Sequence, residues 1–196
     1  FGLNDYIIDI ENKMFTHRPD CFGILGVARE IAGIQGKKFT SPDWYLQGQL
    51  EVGDGPVRVD VQTALVPRFM AVRIDNVSVG PSPMWLQAEL ARVGLKSINN
   101  IVDITNYLSY VTAQPLHAYD ADKLRALHPG VRSEETGESS PADIVTLEAR
   151  MSRKGEKLLL LNGKELELQD DNTVLITSGD VPVGVGGVMG GKSTEV

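Results

Sequence analysis

Residues 158–161 and 165–168 are apolar-rich runs that flank Asn162-Gly163, and this pattern constrains the fold more than any other stretch. Asn-Gly supplies the positive φ angles of a type I′ turn, so the two runs are predicted to pair as an antiparallel hairpin. Residues 173–177 and 181–185 read as further strands. Upstream the pattern changes. Asp20 is placed to cap a helix on which Ile24, Ala28 and Ile31 recur at helical spacing, and Gly33 is placed to end it. Gly23 and Gly26 lie one turn apart at its start, which a helix tolerates where another backbone packs closely. Ser82 is expected to cap a second helix with Pro83 at its first position; Trp85, Leu86, Leu90 and Val93 form its apolar stripe and Gly94 closes it. A third, shorter helix is expected to begin at Asp103. Residues 6–10 and 68–77 read as strands, 35–56 as a connection with a short strand, and 128–142 as a flexible insertion loop. Helices first and hairpins later argue for an α+β fold rather than a regular βαβ one.

The 196 residues, 42% of them apolar, suit one compact domain or two small lobes. A formal charge of −7 makes the chain a poor self-sufficient binder of nucleic acid, although it suits holding the end of an RNA that a partner grips. The single cysteine, Cys21, excludes an internal disulfide and a Cys-based metal site, fits a reducing compartment, and reads as a small core residue. No apolar stretch approaches the ~20 residues of a membrane span. A start on Phe1 and a stop at Thr194-Glu195-Val196 are read as a segment of a larger protein.

Thr105, Asn106 and His117 gather a hydroxyl, an amide and an imidazole within a short stretch. Two readings stand. Thr105 and Asn106 stitch their helix to the Gln114–Asp120 turn, because buried polar groups need partners. Alternatively the three groups place and polarise a water for ester hydrolysis without a covalent step. There is no G-x-S-x-G elbow, and no metal-ligand spacing links the histidines. Arg18 and Asp20, beside His17, read as a turn in which the two pair or cap. Gly186-Gly187-Val188-Met189-Gly190-Gly191-Lys192-Ser193 fits the P-loop pattern G-x-x-x-x-G-K-[ST]. That motif needs a strand before it and a helix after it, and a glycine-rich wall that lets a backbone or ligand approach closely is the stronger reading.

The ordered pieces Arg18-Pro19-Asp20-Cys21, Gly26-Val27-Ala28-Arg29-Glu30, Ser82-Pro83-Met84-Trp85-Leu86, Asn99 to Asn106, Gln114 to Asp120, and Gly187-Val188-Met189-Gly190-Gly191 resemble one module. It is the B3/B4 editing domain of the bacterial phenylalanyl-tRNA synthetase beta subunit. The resemblance spans nearly the whole chain, so all of residues 1–196 are expected to belong to that domain. It implies a β-sandwich-like core of unusual topology with flanking helices. It implies hydrolysis of the ester of Tyr-tRNA(Phe), with Thr105, Asn106 and His117 as catalytic residues and Gly186, Gly187 and Gly190 as the substrate-binding wall. It also implies no metal or cofactor in this domain, ATP and Mg bound elsewhere in the intact enzyme, the tRNA(Phe) acceptor end and the synthetase alpha subunit as partners in an (αβ)₂ heterotetramer, and a cytoplasmic location. A structural or tRNA-positioning module of the same fold is the alternative, and a P-loop phosphate binder the third. Three positions depart from the family pattern. His17 stands where Asn is usual, Gly186 where Ala is usual, and Lys192 creates the P-loop match. The family's glutamate that meets the tyrosine hydroxyl is expected beyond Val196, and Glu195 is not assigned that role.

Overall fold

The computed structural model describes residues 4–46, 57–127 and 144–196. The chain divides into two compact units, Phe1–Glu51 with Ser78–Ala118, and Val52–Val77 with Tyr119–Val196.

The first unit is helical. Two 3₁₀ turns, Lys13–His17 and Pro19–Phe22, lead into α1 (Ile24–Ile34); α2 (Asp43–Leu46), α3 (Met84–Arg92) and α4 (Asn100–Thr112) follow. Asp20 does not cap α1. Gly23 holds that position without a side-chain bond, and the Asp20 carboxylate instead takes both arms of the Arg18 guanidinium at 2.9 Å. Arg18 also reaches Glu30 at 2.9 Å, fastening the turn to the helix. The two early glycines do meet backbone, the condition under which a helix tolerates them. A methyl on Gly26 would collide with the Asp20 carbonyl and lie 2.9 Å from the Cys21 amide nitrogen, and one on Gly23 would lie 2.8 Å from the Thr112 carbonyl carbon. Cys21 is buried. The helix runs one residue past Gly33. It ends in a Schellman motif, with Gly36 at φ 63° and the Lys37 N–H donating to the Ala32 carbonyl at 2.8 Å.

Pro83 is the N-cap of α3, not its first residue, and Ser82 sends its hydroxyl elsewhere. Leu86 and Leu90 are buried; Trp85 stays half exposed, edge-on to Tyr107 at 5.8 Å. Gly94 closes the helix at φ 75°. The third helix is the longest of the described helices, not the shorter one expected. Its β-branched start, Ile101-Val102, argues against helix, but the Asn99 side chain accepts from the amides of Ile101 and Val102 at 3.1 and 2.9 Å and moves the start to Asn100. Asp103 is fully buried on α4 and accepts from the Ser82 and Ser97 hydroxyls, each at 2.5 Å, and from the Ile98 amide at 2.9 Å. Burial raises its pKa, but these three bonds outweigh that and leave it below the ordinary carboxylate value. Residues 6–10 are not a strand. Tyr6, Ile7 and Ile8 are consecutive apolar side chains, all exposed, with no described strand beside them.

The second unit is built on a mixed five-stranded sheet in the order β1-β2-β5-β6-β7. Its strands are β1 (Val57–Val61), β2 (Val145–Met151), β5 (Val174–Ser178), β6 (Val181–Val185) and β7 (Met189–Gly190). β1 runs parallel to β2, with Val57 opposite Val145; the remaining pairs are antiparallel. α5 (Ala121–Ala126) adds Leu124 to a core of Val145, Leu147, Ala149, Ile176 and Val183. Pro182 falls where the β5–β6 register shifts, at Ile176/Thr177, a place suited to a residue with no N–H to give.

β3 (Lys157–Leu159) and β4 (Glu165–Glu167) form the expected hairpin, with Leu158 opposite Leu166. Its turn is not type I′, because Gly163 takes φ 80° while Asn162 does not turn positive. The Gly163 N–H donates to Leu160 and the Leu160 N–H to Lys164, both at 2.9 Å, giving a longer loop closed by one left-handed glycine. Residues 68–77 do not form a strand. Asn76 at φ 57° breaks the extended run, and no described strand pairs with it. The expected 128–142 loop lies outside the described residues, as do 47–56 of the 35–56 connection, whose described part holds a short helix and no strand. The α+β class stands as a mixed sheet with a two-stranded ribbon and several helices.

Candidate active site

Thr105 and Asn106 sit in the middle of α4, and His117 in the segment that follows it. All three belong to the helical unit, and Gly186, Gly187 and Gly190 to the sheet unit.

The Thr105 hydroxyl donates to the Val102 carbonyl of its own helix at 2.7 Å, leaving its lone pairs to accept. Asn106 is half-buried, and its side-chain amide has no hydrogen-bond partner among the described residues. Neither residue stitches α4 to the next segment. Ser109 does so, its hydroxyl accepting from the Leu116 amide at 3.1 Å. Between them the chain turns at Ala113, which ends α4 at φ 60°, the left-handed region. His117 thus follows directly on a residue fastened to the helix. Its side chain keeps access to solvent, yet enough protein surrounds it for burial to lower its pKa below the ordinary histidine value. Lowering favours the neutral imidazole, which can accept a proton near pH 7.

The glycines have three different surroundings. Gly190 is buried on β7 opposite Gly184. Gly186 does not open space toward its own sheet, since a methyl there would lie 2.9 Å from Val174 Cγ1. Gly187 is exposed at φ 70°, and a methyl on it would meet nothing within 4 Å.

The P-loop match is not a P-loop. Met189 and Gly190 pair as strand with Val185 and Gly184; after Gly191 comes a three-residue 3₁₀ turn, Lys192–Thr194. Lys192 Nζ is paired with the Glu195 carboxylate at 2.8 Å. A motif folded as a hairpin turns its amides into ladder bonds instead of a phosphate cradle. Among the described residues no group of three or more His, Cys, Asp or Glu side chains is placed to hold a metal ion. No described helix is long and apolar enough to cross a membrane.

The profile of the B3/4 domain matches residues 65–196, a range that includes all six site positions. The chain belongs to the B3/4 domain family. It is also similar to a segment of phenylalanine–tRNA ligase beta subunits. That of Carboxydothermus hydrogenoformans is 40% identical over 195 residues, covering 99% of this chain and 22% of the relative. Those of Lactobacillus acidophilus and Thermosynechococcus vestitus are 37% and 38% identical over 195 and 197 residues, each covering all of this chain and 22% of the relative. The chain therefore spans about a fifth of the length of these relatives.

Sequence reasoning missed Ser109 and Asp103, the residues that fix α4 and its exit. A signal existed for both. Ser109 lies on the helix that ends just before the Gln114–Asp120 turn, and Asp103 is a charge inside a run of apolar residues.

Proposed function

We propose that this B3/4 domain hydrolyses the ester of tRNA(Phe) mischarged with tyrosine, as part of a phenylalanine–tRNA ligase beta subunit. The observation that carries the reading is the polar set on and after α4. Ser109, not Asn106, anchors the following segment, so the half-buried Asn106 amide remains for a ligand, with a Thr105 hydroxyl able to accept on the same helix and His117, its pKa lowered by burial, in the segment that follows. Asn106 and Thr105 hold a water, and His117 takes its proton as it attacks the ester carbonyl. The carbonyl carbon–ribose oxygen bond then breaks as the imidazolium returns that proton to the ribose oxygen, and tyrosine and free tRNA leave.

The selection problem supports the choice of substrate. A synthetic pocket made for phenylalanine is apolar, and such pockets reject an added hydroxyl by only ~10²-fold. A second, polar site reverses the preference, because phenylalanine leaves its groups unpaired. The partners on this reading are the tRNA(Phe) acceptor end and an alpha subunit in an (αβ)₂ assembly in the cytoplasm, with ATP and Mg bound in other domains. The rival is a module that keeps the fold to position tRNA. Deacylation assays with the full alpha–beta enzyme separate the two. Tyr-tRNA(Phe) should be cleared at least about tenfold faster than Phe-tRNA(Phe); no hydrolysis of either ester favours the positioning module.

A further inference from the structure

Full burial on α4 is sparse. Of its thirteen residues two are buried, the charged Asp103 and the apolar Val111. The helix is held at its two ends in different ways. At the first turn the Asp103 carboxylate gathers three donors. The Ser82 hydroxyl comes from the residue before the α3 cap, and the Ser97 hydroxyl and Ile98 amide come from the connection between α3 and α4. Asn100 reinforces that end, its side chain accepting from the Gly80 amide at 3.0 Å and donating to the Ser78 carbonyl at 2.9 Å. At the last turn Gly23 lies against the helix backbone. A methyl on it would collide with the Ala113 amide nitrogen and stand 3.0 Å from the Val111 carbonyl oxygen. All of these groups belong to the helical unit.

Thr105 and Asn106 lie between the two holds. Residues three apart are neighbours on a helix surface, so Asn106 stands on the side next to Asp103. Side chains reach ~5–6 Å from a helix axis, where a turn of ~10° carries a group ~1 Å. Apolar contact sets such an angle loosely, because it is non-directional. Three donors converging on one carboxylate set it tightly, because hydrogen bonds weaken as their angles bend. Nor is the carboxylate needed to start the helix, since Asn99 already caps it.

We propose that Asp103 is a positioning residue for the site: its buried carboxylate sets the rotation of α4 about its own axis, and thereby the direction in which Asn106 presents its amide. The inference rests on the hydrolytic reading above. Asp103 itself touches no substrate.

The test is single-turnover and steady-state deacylation of Tyr-tRNA(Phe) by the full alpha–beta enzyme, with each variant assayed well below its melting temperature. Wild type should hydrolyse the ester and Asn106→Ala should be slowed. Asp103→Leu removes the acceptors at similar bulk. It should lose about tenfold to a hundredfold in kcat, the scale of a ~1 Å misplacement, while KM stays within about twofold. Ser82→Ala combined with Ser97→Ala removes two donors from the other side and should lower kcat in the same direction. Asp103→Asn should stay within about threefold of the wild-type kcat, because its carbonyl can accept from Ile98 and its amide can donate to two hydroxyls turned to accept. Its melting temperature should still fall, so stability and rate part company in this variant. In an Asn106→Ala background, Asp103→Leu should cost markedly less than in wild type, because a group it positions is gone. Wild-type kcat in folded Asp103→Leu overturns the proposal. So does an additive loss in the double variant, or a loss in Asp103→Asn as large as in Asp103→Leu. If Asp103→Leu does not fold, the paired serine variant decides alone, and failure of both to fold overturns the proposal in favour of a purely structural carboxylate. No hydrolysis by wild type, or an unchanged rate in Asn106→Ala, overturns the reading beneath it. Hydrolysis that is slowed in Asn106→Ala but kept in Asp103→Leu overturns the positioning role alone.

Discussion

In the sheet unit the central side chains are Leu147, Ala149, Ile176 and Val183, stacked on Leu124. In the helical unit the fully buried position on α4 is a charge, Asp103, held by Ser82, Ser97 and Ile98. Apolar burial is non-directional. It sets how much stability a layer has and tolerates swaps of similar volume. A buried carboxylate with three donors is directional and fails when one partner leaves. The proposed chemistry lies on the directional side, since Thr105 and Asn106 follow Asp103 on the same helix. The glycine hairpin lies on the other, where shape and space matter more than angle.

The largest expected effect comes from the apolar side. Leu147→Ala should destabilise the protein by about 2–5 kcal/mol through lost burial and a cavity, read as a fall in melting temperature. Exchange of amide hydrogens in β2 and β5 should rise much more than in α4. Equal rises in both would show one shared cooperative core and break the comparison.

Asp103→Asn comes next, at about 1–3 kcal/mol near pH 7, because the substitution weakens bonds that all donate to a carboxylate. The pH dependence sharpens it. A carboxyl with a lowered folded pKa stabilises above its unfolded pKa of about 4 and loses that contribution as pH falls through its folded value. Wild-type α4 amides should therefore lose protection below about pH 4, and Asp103→Asn should flatten that loss. Glu156 in the sheet unit also has a lowered pKa, through its bond with Arg150, so global melting alone does not separate the units. Local exchange does, and an unchanged acid response of α4 in the variant would remove Asp103 from the account.

The smallest effect on stability is at Gly187. Its φ of 70° strains any side chain, so Gly187→Ala should cost about 1–2 kcal/mol. The open space around it means Gly187→Trp should cost little more. Any further loss of Tyr-tRNA(Phe) hydrolysis in Gly187→Trp over Gly187→Ala then reports an occluded ligand. Equal hydrolysis by the two variants would remove Gly187 from the substrate wall.

What the sequence disclosed follows the same division. Strands β5 and β6 were legible as short runs and the β3–β4 hairpin from Asn162-Gly163, while Gly23 and Gly26 were readable only as positions a helix tolerates if another backbone packs closely. The strand predicted over 68–77 failed because pattern cannot see the left-handed turn at Asn76 or the lack of a neighbour. The start of α4 was misplaced because the capping bonds of Asn99 outweigh the weak propensity of Ile101 and Val102. In the site, the candidate residue types were readable in the chain. Which of them is already spoken for was not: that Thr105 bonds Val102 and Ser109 holds Leu116 depends on geometry.

The most direct test of the central claim is single-turnover hydrolysis of Tyr-tRNA(Phe) by the complete alpha–beta enzyme, wild type against His117→Ala. With a neutral imidazole as proton acceptor, the variant should fall by about 10²–10⁴-fold at unchanged melting temperature. Equal rates in the two enzymes would contradict the account.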